Sequence, residues 1–134
     1  MLISVFALNL YGCTDTSELL SAEQVSVGVS SQEIELLESE LNAAYSLWES
    51  EEYDQAFVSL ERINHDTMKT VWPILRSEDP ESSLQLEVQF GKVLWATEKR
   101  KSIANNESAR SLKMLLMREL NEVRIVEPTL SPAE

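Results

Sequence analysis

Glu61, His65 and Asp66 are the residues whose types and spacing come nearest to chemistry. Four residues separate Glu61 from His65, so on a helix a carboxylate and an imidazole share one face, a spacing that can hold a divalent metal. By themselves they supply too few ligands. His65 is the only histidine, so a structural zinc site or a di-iron site built on two Glu-x-x-His helices is not expected, and the imidazole is expected at the surface. A haem held by His65 with Met114 or Met117 would need a methionine pointing inward at matching depth. No Cys-x-x-Cys-His is present for covalent haem, so haem is not expected. Serine and cysteine nucleophiles lack partners, and no glycine-rich nucleophile turn or phosphate loop occurs. Trp48, Trp72 and Trp95 fall near helical stripes and read as core packing. The chain is therefore not expected to be an enzyme.

The elements that must position these groups are helices. The 134 residues suit one domain, and 43% apolar content is that of a globular chain. Three glycines and four prolines leave long stretches of good helix formers. Ser30 and Glu33 form a capping-box pair that opens a first helix, with Ile34, Leu37, Leu41, Ala44 and Trp48 on one stripe and an end near residues 50–52. A second helix from Tyr53 carries Ala56, Leu60, Ile63, Thr67, Val71 and Ile74 on its core face, with Phe57 and Met68 beside it and Pro73 in its last turn. Asp79 as N-cap and Pro80 at the first position open a third helix, expected to reach about Ile103. Its stripe is read as Leu84, Val88, Gly91 and Trp95, widened by Leu86, Phe90, Val93 and Leu94, with Gly91 permitting a close crossing. Asn105 and Asn106 punctuate the pattern before a fourth helix with Ala109, Leu112, Leu115, Leu116, Leu120 and Val123, closed by Pro128. Four such helices with short joins predict an all-α, antiparallel up-down-up-down four-helix bundle over residues 31–127, and a frayed tail at 128–134.

The net charge of −12 argues against nucleic acid as a partner, since phosphate contacts need clustered Lys and Arg. All eleven Lys and Arg lie from Arg62 onward, so the first half is purely acidic. That asymmetry predicts either an acidic surface for a basic protein partner or partial neutralisation by Lys99, Arg100, Lys101, Arg110 and Lys113.

The first thirteen residues are uncharged, mostly apolar, and end in the only cysteine. They are too few to span a bilayer but have the size of a signal-peptide apolar region. Leu10-Tyr11-Gly12-Cys13 resembles the lipobox of bacterial lipoproteins. The resemblance implies removal of residues 1–12, lipidation of Cys13, a flexible tether over 13–30, and an extracytoplasmic domain anchored on the periplasmic side of a bacterial membrane.

Two further resemblances concern the helices. Tyr45-Ser-Leu-Trp-Glu-Ser-Glu-Glu-Tyr53-Asp-Gln-Ala56, continuing to Leu60-Glu61, is similar to the helix-turn-helix of a tetratricopeptide repeat, without a second copy. Pro73-Ile-Leu-Arg-Ser-Glu-Asp-Pro80 with Leu86-Glu87-Val-Gln-Phe90-Gly91 resembles the extracytoplasmic helical domain of bacterial iron permeases. This second resemblance implies an accessory or binding module associated with iron uptake, docking a membrane transporter. Iron or another transition metal would then be held by Glu61, His65, Asp66 and Glu87. Lys69 and Trp72 stand where that family tends to carry acids, and no stretch of the chain is expected to form a transmembrane helix, so the chain is not expected to be the permease itself.

Overall fold

The computed structural model describes residues 28–125, and they are all-helical apart from caps, turns and one isolated bridge. The segment expected to be a signal peptide, Cys13 and the tail from residue 126 lie outside the described residues. Five α-helices follow one another: α1 (Ser31–Glu49), α2 (Tyr53–Arg62), α3 (Val71–Glu78), α4 (Pro80–Glu98) and α5 (Glu107–Glu122). A π-helical turn, Ile63–Thr67, follows α2 directly.

α1 begins as its residues dictate. The Glu33 N–H donates to Ser30 Oγ at 3.1 Å and the Ser30 N–H donates to Glu33 Oε1 at 3.0 Å, so two donors that the first turn leaves free are satisfied reciprocally. Ile34, Leu37, Leu41, Ala44 and Trp48 are all buried, as the three-and-four spacing requires. The helix closes with the Glu51 N–H on the Trp48 carbonyl and the Glu52 N–H on the Leu47 carbonyl, both 2.9 Å. This is a Schellman turn, and it places Glu51 at φ +64°, where glycine is the usual occupant. Ser30 and Val29 belong to the fold and not to a tether. Val29 is fully buried, its N–H donates to the Val123 carbonyl, and its own carbonyl accepts from Ile125 N–H. Gly28 enters this contact at φ +156°, where a Cβ would stand 2.7 Å from the Val123 oxygen.

The single second helix expected from Tyr53 is instead three pieces. Ala56, Leu60 and Ile63 are buried as foreseen, but the Met68 N–H donates to the Ile63 carbonyl at 2.9 Å, an i to i+5 bond that inserts one extra residue. Val71 is buried as expected, but Met68, Trp72 and Leu75 are buried with it, while Thr67 and Ile74 are only half-buried. Pro73 sits in the first turn of α3, where a missing N–H removes no bond. In a continuous helix its ring would clash with the carbonyl four residues back, at Lys69, so the interruption lies upstream of the proline.

Asp79 caps α4 as expected, accepting from the Ser82 N–H at 3.1 Å, and this bond holds its carboxyl below the usual range. α4 ends at Glu98, short of Ile103. Its two apolar lines are two residues apart, about 200° around the helix, and one of them is left outside. Leu86, Phe90 and Val93 are buried, whereas Leu84, Val88 and Trp95 are exposed. Gly91 has no heavy atom within 4 Å of where a Cβ would stand, so it permits no close crossing. Asn106 caps α5 by accepting from the Ala109 N–H, and Ala109, Leu112, Leu116 and Leu120 are buried, with Leu115 and Val123 half-buried. In the packing, α1 touches α2 and α5, and α4 touches α2, α3 and α5. No helix among the described residues is long and apolar enough to cross a membrane.

Candidate functional site

The π-helical turn borders a polar concavity. Because Met68 N–H bonds to Ile63, the Asn64 carbonyl loses its regular helical donor. The Trp72 indole takes that place, donating from Nε1 to the Asn64 oxygen at 3.1 Å. Trp72 is in turn fixed edge-on to Phe90, with ring centroids 5.8 Å apart, so α3 is pinned to both the turn and α4. The space beside this joint is a cleft of about 390 Å³. Asn64, His65 and Lys69 line it from the turn, Pro73 and Arg76 from α3, and Glu87 from α4.

Its charges are arranged around one ion pair. Glu87 Oε2 accepts from Arg76 Nη2 at 2.9 Å and from Nε at 3.1 Å, while the Arg76 guanidinium lies 5.7 Å from the centre of the Trp72 ring. With Lys69 and His65 also lining the cleft, cationic and neutral donors outnumber the single carboxylate, which is already engaged. The cleft can donate hydrogen bonds to an anion. To bind a cation, Glu87 would have to release Arg76.

Of the four residues read as metal candidates, the fold brings His65 and Glu87 to this cleft and leaves the others out. Glu61 is exposed and does not line it. Asp66, one residue beyond His65, points to a separate depression of about 290 Å³ with Glu33, Leu36 and Thr67. Among the described residues no group of three or more His, Cys, Asp or Glu side chains comes together to hold a metal ion. His65 is exposed as expected, and Met114 and Met117 line a different cleft from it, so no axial pair forms. Arg76 was not foreseen in the site. The signal was the Asp79-Pro80 turn, which folds α3 back on α4 and sets Arg76 opposite Glu87.

The acidic half is only slightly neutralised. Arg100, held at φ +57° in the Schellman turn that ends α4, pairs with Asp54 at 3.1 Å and lies 5.7 Å from the Tyr53 ring centre. It is the one base that pairs with a carboxylate of the basic-free first half among the described residues. Glu35, Glu49, Glu51, Glu52 and Glu61 are exposed. No family model matches the chain, and no curated protein or solved structure matches it either.

Proposed function

We propose that the chain is a helical binding module, held on the extracytoplasmic face of a bacterial membrane by an acylated Cys13, whose acidic α1–α2 face docks a basic protein surface. The long segments run up-down-up-down and antiparallel in this reading, supported by the neighbour relations of α1, α2, α4 and α5 and their short joins. The observation that carries the docking role is the unneutralised charge: apart from Asp54 with Arg100, the exposed carboxylates of α1 and α2 meet no base among the described residues. Exposed single ion pairs add little to stability, and a like-charged face steers a complementary partner. Photo-crosslinking in intact cells from Glu35 and Glu49, with Lys92 on α4 as the contrast, should give a discrete product from the acidic positions only. Replacing Glu51 and Glu52 by lysine should abolish it; equal products from all three positions, or none, would sink the reading. The anchor is read separately, by the mass of the mature N-terminal peptide. A retained Met1 with a free Cys13 thiol would overturn it.

A second reading, association with iron uptake, is favoured by one observation: His65 and Glu87 share a cleft. The neighbouring Lys69 and Arg76 suit an anionic iron chelate better than a bare cation. A saturable, iron-selective rise in unfolding temperature, lost in the His65→Ala, Arg76→Ala double variant, is the expected result. A ligand present at about 100 times its dissociation constant adds roughly 2.7 kcal/mol. A flat response to ferrous, ferric, cupric and zinc ions and to ferric citrate removes this reading and leaves the docking role standing.

A further inference from the structure

A second cleft, between α1 and α5, has the opposite chemistry. It encloses about 470 Å³, within the range of small-molecule sites. Tyr45, Ile103, Ala109, Met114 and Met117 line it, and Met114 is exposed. Thioether side chains adapt readily to the shape of an apolar guest.

The polar groups that face it are either occupied or cationic. Tyr45 donates its hydroxyl to the Ala109 carbonyl at 2.6 Å, and burial raises its pKa, so it offers a neutral, engaged hydroxyl and no anion. Arg110 and Lys113, one turn apart on α5, line the rim, and among the described residues neither forms an ion pair. Residues 41–48 on the α1 wall, Leu-Asn-Ala-Ala-Tyr-Ser-Leu-Trp, carry no charged side chain. Residues 108–117 of α5 contain Arg110 and Lys113 and no acid. In a chain of net charge −12, both charged residues that line this cleft are basic.

From Ala109 to Met117 the slot runs about 12 Å along α5, at 1.5 Å per residue. That is room for an extended alkyl chain with its head at the rim. A protein partner would need an apolar area spreading beyond the slot. Of the large exposed apolar side chains, only Met114 stands on α5; Leu36 is on α1, Val58 on α2, and Leu84, Val88 and Trp95 on α4. We propose that this cleft binds a single-chain amphiphile with an anionic head, in the class of a free long-chain carboxylate. The alkyl chain lies over Tyr45 and Met117, and the carboxylate meets Arg110 and Lys113. The site is independent of both readings of the chain's role given above.

The test follows the Met114 and Met117 methyl signals of the full chain by NMR during titration with dodecanoate, dodecanol and dodecyltrimethylammonium, each below micelle formation. Dodecanoate should shift both methyls saturably, and the cationic analogue should bind about tenfold more weakly or worse. The Arg110→Glu, Lys113→Glu double variant should lose that preference while still binding dodecanol; both positions are outside the core, and its melting temperature checks the fold. Equal binding of the three probes, or unchanged dodecanoate binding in the double variant, would overturn the proposal. So would methyl shifts that depend on protein concentration without ligand, which assign the slot to a second copy. A response to a synthetic acidic amphipathic helix but not to dodecanoate would overturn it in favour of a peptide partner.

Discussion

α1 and the stretch formed by residues 53–78 are two solutions to lining the same core. α1 is unbroken, buries one line from Ile34 to Trp48, and leaves its neighbours a smooth surface, so the cleft it makes with α5 is apolar. The 53–78 stretch contains a π-helical turn and a separate short helix, and at the break a carbonyl needs an outside donor. The cleft there is polar, because the irregular backbone turns Asn64, His65 and Lys69 toward Arg76 and Glu87. In this molecule regular packing produces an apolar slot, and a single inserted residue produces a polar one.

The largest effect should come from removing one residue from each region. Deleting Ser39 rotates everything after it by about 100° and carries Leu41, Ala44 and Trp48 off the core, which should abolish cooperative unfolding in urea. Deleting Asp66 should instead remove the π-helical turn and bring Ile63 and Met68 to a regular four-residue spacing, with the break that Pro73 imposes at Lys69 retained. A loss of no more than about 2 kcal/mol is expected, with the polar cleft closed. If both deletions unfold the chain, the π turn is as necessary as α1's continuity and the contrast fails.

The tryptophans sharpen the same contrast. Trp48 is buried and donates from Nε1 to the Lys101 carbonyl at 2.6 Å, so Trp48→Ala should cost about 3–5 kcal/mol in denaturant titrations. Trp72→Phe keeps a ring against Phe90 but strips the donor from Asn64, for about 1–2 kcal/mol. Next comes Tyr45→Phe, about 1 kcal/mol at neutral pH for the lost bond to Ala109. Burial raises the Tyr45 pKa above its unfolded value, so its contribution is fully present below the ordinary tyrosine range and is lost as pH rises through that range and beyond. The wild type should therefore lose stability on alkaline titration faster than the phenylalanine variant. The smallest effect is a gain: Glu51→Gly relieves the left-handed backbone at the end of α1 and should add about 0.5–1 kcal/mol, seen as a raised melting temperature.

What could be read from the residues divides along the same line. The buried face of α1 and the caps at Ser30, Asp79 and Asn106 follow from side-chain types at fixed offsets, and those offsets were in plain view. The shift from Thr67 and Ile74 to Met68 and Leu75 was not, because an i to i+5 bond has no signature residue and Pro73 marks only that a helix cannot run through Lys69. In α4 both apolar lines have helical spacing; which one is buried depends on α2, α3 and α5, and periodicity alone does not decide it. His65 and Glu87 were named from their chemistry. Their shared cleft arises from the α3–α4 fold-back, and Glu61 and Asp66 do not line it. The slot over Tyr45 was not anticipated, because its lining residues come from parts of the chain far apart in sequence.

The three indoles stand in three different surroundings: Trp48 is enclosed and bonded to a loop carbonyl, Trp72 is packed on Phe90 beside the polar cleft, and Trp95 is about half exposed with Lys101 Nζ 5.3 Å from its ring centre. The molecule therefore carries its own optical reporters, with two blue-shifted emitters inside and one red-shifted emitter outside. Quenching by iodide should silence Trp95 first, and the emission that remains would come from one indole near each cleft.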